Sequence, residues 1–305
     1  MKPLHIETPL FESQALSIQA ERSVWLKLEA LQPSGSFKLR GIGFACQEYA
    51  RRGANRFICS SGGNAGIAAA YAGRHLSIPV VVVVPETTTE RAKKLIRQEG
   101  AQVIVHGASW QEANALAVSM LQKTDAFLHP FDDPLLWQGH ATMIDEIAHA
   151  DLKPDAMVLS VGGGGLLCGV MEGLHRNGWQ DIPVIAVGTD GADAFARSLA
   201  AGRRIELPAI TSIATSLGAR QVCERAFKWS EQHPILSVVV SDKMAVSACE
   251  RFLIDHRMVV EPACGAALAA AYEQVAEIKA FQSVLVIVCG GAAVSVEQLR
   301  QWSKM

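Results

Sequence analysis

The stretch "AMVLSVGGGGLLCG", Ala156 to Gly169, holds an unbroken apolar run, then four glycines, then the start of an apolar helix-forming segment. A strand without polar alternation is buried on both faces, as in a parallel sheet covered by helices. Glycines between such a strand and a helix mark the turn of a βα unit. The pattern recurs outward in both directions. Short apolar strands are predicted at 24–29, 56–60, 79–84, 101–106, 183–188, 235–240 and 283–288. Ala-rich helices fall between them, such as "NAGIAAAYAGRHL" from Asn64, "SWQEANALAVSMLQK" from Ser109 and "CGAALAAAYEQVAEIKA" from Cys264. This alternation predicts an α/β fold with right-handed crossovers. There is no repeat of solenoid period and no low-complexity linker. Residues 36–135 hold several βα units of their own, so a smaller domain at 36–135 is expected to be inserted into a larger one built from 1–35 and 136–305.

The bulk numbers narrow the function. With 305 residues, 50% of them hydrophobic and 19% charged, the chain can bury one large core or two moderate ones, which excludes disorder. The 28 Lys and Arg against 30 Asp and Glu leave a formal charge of −2 and no basic face, so no nucleic-acid partner is expected. The run Ile78–Pro85 is too short to span a bilayer, and the N-terminus lacks a signal-length apolar stretch. Neither secretion nor a membrane partner is expected. The seven cysteines are odd in number and form no CxxC site, which reads as reduced thiols in a cytoplasmic protein. After the last strand the chain runs only to Met305, so control through an appended regulatory domain is not expected.

Three turns sit where ligands gather in open α/β sheets, at the carboxyl ends of strands. "SSGGNAG", Ser60 to Gly66, reads either as a tight turn capped by Asn64 or Ser61, or as an anion cradle at a helix N-terminus. Gly162 to Gly165 reads as close backbone approach to a phosphate, or as a crowded helix–strand contact. It is neither a GxGxxG fingerprint nor a P-loop. Cys289, closing the last strand in "VCGGAAVS", by itself reads as a buried small hydrophobe. Lys38, in "PSGSFKLRGIGFA", begins a helix where the dipole disfavours a cation. Alone it reads as a surface lysine; with desolvation its amine becomes more nucleophilic. The segment "HPFDDPLLWQGH", His129 to His140, is compatible with an ordinary helix start at Asp-Asp-Pro, and "EPACGAAL" reads as a helix N-terminus with Pro262 in its first turn. His5, His75, His106, His149, His175, His233 and His256 have no metal-ligand spacing, and no GxSxG elbow is present.

Taken together, "PSGSFKLRG", "SSGGNAG", "PFDDPLLWQGH", "SVGGGGLLCG", "EPACGAALAA" and "VIVCGG" resemble, in residues and in order, the fold-type II pyridoxal 5′-phosphate (PLP) enzymes. The likeness is greatest to the L-serine/L-threonine dehydratases of the animal liver type and runs from Thr8 to the last strand. It implies a tryptophan synthase β-like fold, two doubly wound parallel-sheet domains with the PLP cleft between them, and a homodimer. It implies PLP as a Schiff base on Lys38, with Phe37 beside the ring, Asn64 on the ring hydroxyl, Gly162, Gly163, Gly164 and Gly165 on the phosphate, and Cys289 facing the ring nitrogen. Ser61, Gly62 and Asn64 would meet the carboxylate of a small amino-acid substrate. The implied reaction is α,β-elimination of water, an ammonia-lyase reaction giving pyruvate or 2-oxobutanoate and ammonia.

Two positions depart from the family pattern. Racemase relatives carry a serine where this chain has Gly62, so racemisation is not expected. The dehydratases commonly hold a monovalent cation such as K+ through carbonyls, here those of Ala192, Leu217 and Ala219, and one acidic side chain, whose place is taken by Gly188, with Asp190 near in sequence. The alternatives are a related PLP lyase, a β-replacing synthase, a racemase, or a non-catalytic protein on this fold.

Overall fold

The computed structural model describes residues 2–304. Its strands form two sheets. The larger runs in the order β1 (Leu10–Glu12), β2 (Ser23–Lys27), β10 (Ser283–Ile287), β7 (Ala156–Ser160), β8 (Val184–Thr189), β9 (Ile235–Val240), and only the β1–β2 pair is antiparallel. The smaller runs β5 (Gln102–Val105), β4 (Val80–Val84), β3 (Arg56–Cys59), β6 (Asp125–Leu128), all parallel. The helices are α1 (Gln14–Ala20), α2 (Lys38–Arg51), α3 (Asn64–Leu76), α4 (Glu90–Gln98), α5 (Trp110–Ser119), α6 (Pro134–His149), α7 (Gly165–Arg176), α8 (Ala194–Ala201), α9 (Glu224–Trp229), α10 (Asp242–His256), α11 (Pro262–Tyr272) and α12 (Val296–Trp302).

Strands β4, β7 and β8 are buried along their whole length, which their unbroken apolar runs require. In the smaller sheet, successive residues point to opposite faces. Ile58, Val81 and Val83 pack on Ala113 and Ala117 of α5, while Phe57, Cys59, Val82 and Val84 join the main core. Two strands escape the sequence reading. β1 is three residues long, and β6 begins on Asp125, a charge held by Arg56 of the neighbouring β3 at 2.5 Å. The helix expected to run on from Cys264 is shorter: it starts at Pro262, and after Tyr272 the chain turns at Gln274, whose φ is +48°. Neither Asn64 nor Ser61 caps α3, whose N-cap is Gly63 with no side-chain bond, whereas two other helix starts are capped by side chains. Asp133 accepts from the Leu135 amide ahead of Pro134, and Ser109 forms a capping box with Glu112.

A buried charge cluster fixes the helix that starts at Lys38. Arg40, fully buried, donates to both oxygens of Glu29 at 2.8 Å and to Glu146 at 2.6 and 2.7 Å. Lys27 bonds Glu146 at 2.5 Å and the Thr8 carbonyl at 2.8 Å, while Thr8 donates to Glu29 at 2.7 Å. Two cations and two carboxylates thus tie β2, α2, α6 and the N-terminal segment together. Burial beside Arg40 pushes the His5 imidazole down to about 4.

Candidate active site

The turn before α2 is stitched to the end of β10. The Phe37 amide donates to the Cys289 carbonyl at 3.1 Å, the Gly291 amide to the Gly35 carbonyl at 3.0 Å, and Ser36 bridges Gly290. A Cβ on Gly290, whose φ is +105°, would stand 2.5 Å from the Gly35 carbonyl, so this close approach needs glycine. The stitch brings Lys38 and Cys289, far apart in sequence, to one place. Lys38 is half-buried; its Nζ donates to the Pro130 carbonyl at 2.5 Å and lies 5.1 Å from the Phe37 ring centroid. Burial lowers its amine to about 8, against the opposing pull of Cys59, Cys289 and Glu261. Phe37 leans on the buried His140 ring, with centroids 4.9 Å apart. The loop carrying Pro130 is held by His129, whose Nδ1 accepts from the amides of Phe131 and Asp132.

Cys289 is buried, and its thiol is pushed well up by a hydrogen bond with Cys264 and by burial. It is a neutral thiol. Asn64, at the start of α3, is held on both sides: its Nδ2 donates to Glu261 at 2.8 Å and its Oδ1 accepts from the Ala292 amide at 3.2 Å. Glu261 is the residue that sequence reasoning missed, because Pro262 beside it signals only a helix start. Desolvation raises its carboxyl to about 7, against hydrogen bonds from Ser216 and Asn64 and the nearness of Lys38. Ser61 and Gly62 occupy the same turn, with the Ser61 hydroxyl accepting from the Gly63 amide at 3.4 Å.

Gly162 to Gly165 enter α7 under close packing. A Cβ on Gly162 would lie 2.7 Å from Leu217 Cα, one on Gly163 2.4 Å from the Phe131 ring, and one on Gly164 2.4 Å from Ala226 Cβ. Crowding alone therefore forbids side chains here. The helix end adds a second property: α7 and α3 have glycine N-caps, Gly164 and Gly63, and no side-chain cap, a lack they share with α2, α8, α9 and α11. Free amides at an uncapped helix N-terminus suit an anion. Gly163 and Gly165 crowd Phe131, next to the Pro130 carbonyl that holds the Lys38 amine, and Asn64 bonds the Ala292 amide, three residues past Cys289.

A model of the family described as pyridoxal-phosphate dependent enzymes matches residues 1–290. The chain belongs to the pyridoxal-phosphate dependent enzyme family. Among curated relatives, the human protein named L-serine dehydratase/L-threonine deaminase is 48% identical over 310 residues, covering 98% of this chain and 94% of that protein. Among solved structures, the fungal L-serine ammonia-lyase from Rhizomucor miehei superimposes with a TM-score of 0.93 at 39% identity, covering 99% of this chain and 98% of that one. Maize serine racemase superimposes with a TM-score of 0.88 at 25% identity, covering 98% and 92%. The two-sheet α/β architecture is that of fold-type II PLP enzymes. The residues at the site fit the family's cofactor, because an amine shifted toward neutrality, uncapped amides for an anion and an uncharged thiol match the aldehyde, phosphate and pyridine of PLP.

Around the positions expected to hold a cation, the Ala219 amide donates to the Leu217 carbonyl at 2.9 Å. A Cβ on Gly188 would lie 3.5 Å from the Ala192 carbonyl oxygen and 3.9 Å from Asp193 Cβ. Asp193 is buried; its Oδ2 accepts from Arg197 at 2.8 Å, and its Oδ1 finds no hydrogen-bond partner among the described residues. Asp190, the acid nearest in sequence to the departure at Gly188, is exposed.

Proposed function

We propose that the chain is an L-serine dehydratase that also accepts L-threonine, an ammonia-lyase releasing pyruvate or 2-oxobutanoate with ammonia. The observation that carries this reading is Lys38, half-buried and lowered to about 8 beside Cys289, in a chain 48% identical to a protein named L-serine dehydratase/L-threonine deaminase. PLP, when bound, supplies the electron sink for the charge left by the departing α-proton. The rest is the work of this chain. Lys38 would carry the cofactor and accept the α-proton, since an amine lowered to about 8 reaches its neutral form far more readily than an ordinary lysine. Gly162 to Gly165 would hold the phosphate through α7 amides, and Ser61, Gly62 and Asn64 would seat the substrate carboxylate at the start of α3. Phe37 would flank the ring. Cys289 would face the ring nitrogen and, as a neutral thiol, would not hold it protonated, which favours prompt loss of the β-hydroxyl over transamination. The reading is tested by assaying 2-oxo acid release from L- and D-hydroxy amino acids. Release from L-serine and L-threonine is expected, and none from either would overturn it.

The same reading includes a K+ site formed by the carbonyls of Ala192, Leu217 and Ala219. The unpartnered Asp193 Oδ1 supports it, by offering a buried negative charge beside the place where the family's acid is missing. It also includes a homodimer, a cytoplasmic location, and a division into a domain of residues 1–35 plus 136–305 and an inserted one of 36–135. Seven buried free cysteines agree with a reducing compartment. Among the described residues no helix is long and apolar enough to cross a membrane.

A further inference from the structure

The chain between β6 and α6 is folded back on the His129 ring. His129 Nδ1 accepts from the Asp132 amide at 2.8 Å and from the Phe131 amide at 3.2 Å. A backbone amide only donates, so Nδ1 bears no proton and the imidazole is the neutral form protonated on Nε2. The ring nitrogen stands where an Asn would put its carboxamide oxygen, and it bonds residues two and three positions ahead, as an Asx turn does. Other elements fix the rest of the segment. The Phe131 carbonyl accepts from Trp137 Nε1 at 2.9 Å, and Asp133 both caps α6 and accepts from the Tyr49 hydroxyl at 2.6 Å. Phe131 also meets the His129 ring edge-on, with centroids 4.7 Å apart.

Pro130 lies inside this turn and is buried. With no N–H of its own it offers only a carbonyl, and that carbonyl accepts from Lys38 Nζ at 2.5 Å. The ring of Phe131 fills the space that a Cβ on Gly163 would need, 2.4 Å away. The turn thus faces both the amine and the glycines. We propose that His129 is a positioning residue for Lys38: it fixes the Pro130 carbonyl through the two amide bonds, and the carbonyl holds the amine at its working place. The inference rests on the reading that Lys38 moves the substrate α-proton. A lysine carries its amine on a flexible four-carbon stem, and misplacing a reacting group by about 1 Å can cost on the order of a hundredfold in rate. The hold depends on the charge of the ring. A proton on Nδ1 would point at two N–H groups, so the turn opens when the imidazole is protonated. Burial guards against this at neutral pH by lowering the imidazole below its ordinary 6.5; Lys38 adds to the lowering, and Asp132 and Asp133 oppose it.

The test compares His129→Asn, which keeps an acceptor in place of Nδ1 and does not titrate, with His129→Leu, which has no acceptor. In the PLP-loaded enzyme, kcat and KM for L-serine are measured across pH, and hydrogen exchange is measured on the peptide containing the Phe131 and Asp132 amides. His129→Leu is expected to lower kcat at neutral pH by about tenfold with KM changed by less than about twofold, and to speed exchange of the peptide. His129→Asn is expected to restore both kcat and slow exchange. As pH falls below 6.5 the parent is expected to lose kcat, and His129→Asn to hold it to lower pH. A His129→Leu enzyme with the parent's kcat would overturn the proposal, as would a His129→Asn enzyme no better than His129→Leu, or one with the parent's acid limb unchanged. If His129→Leu fails to fold, His129→Gln, whose carboxamide sits one carbon farther out, takes its place. Hydrogen exchange needs no substrate, so a parent that releases no 2-oxo acid fails the dehydratase reading alone, while parental exchange in His129→Leu fails the His129 turn alone.

Discussion

Asn64 and Glu261 hold each other, Nδ2 to Oε1 at 2.8 Å, across 197 positions of sequence. The bond fixes the carboxamide proposed to meet both cofactor and substrate, and its partner is a carboxyl that burial raises from 4.5 to about 7. A carboxyl kept protonated by burial stabilises the fold fully below its unfolded value near 4.5; that contribution is lost as pH rises through about 7. Glu261→Gln stays neutral and can still accept from Asn64. Its melting temperature relative to the parent is expected to rise between pH 4.5 and 7 and to level off above. A difference that is flat across this range, measured by scanning calorimetry, would contradict the assignment.

Arg40 is expected to be the most sensitive charge in the molecule. Truncation to Ala leaves Glu29 fully buried without its bidentate partner and takes two bonds from Glu146. Removing one partner of a buried pair costs about 3–5 kcal/mol. Urea unfolding of Arg40→Ala is expected to show a loss of that order, and a loss below about 1 kcal/mol, the range of exposed pairs, would contradict the burial of the cluster.

The cation reading is checked without activity. Melting temperature in KCl is expected to exceed that in choline chloride at equal ionic strength by about 2 °C, as ligand binding to the native state requires. Asp193→Asn is expected to abolish the difference. An equal KCl effect in parent and variant would remove Asp193 from the site.

Cys289→Asp places a carboxylate where the neutral thiol now faces the proposed ring nitrogen. A carboxylate holds that nitrogen protonated, so a larger share of turnovers is expected to end in transamination, detected as loss of cofactor absorbance at 2-oxo acid release comparable to the parent's. An unchanged product partition would contradict the role given to the thiol.

How much of this was legible in the sequence depended on which forces wrote each feature. The apolar runs of β4, β7 and β8 announce themselves, because both faces of each strand are buried. The three-residue β1 and the Asp125-headed β6 do not, since pairing with neighbours rather than composition makes them strands. Lys38 and Cys289 are unremarkable one at a time; the backbone stitch between 35–37 and 289–291 that joins them is a long-range fact. Glu261 was hidden behind Pro262. Gly188 marked a missing acid, but only the folded chain places Asp193 beside the gap.

The central claim is that Lys38 is the lysine that carries the cofactor. Borohydride reduction of the enzyme in the presence of PLP, followed by peptide mass mapping, tests it directly. The reduced adduct is expected on the peptide containing Lys38, with no labelling of Lys38→Ala and no 2-oxo acid release from that variant. An adduct on another lysine, or full turnover by Lys38→Ala, would contradict it.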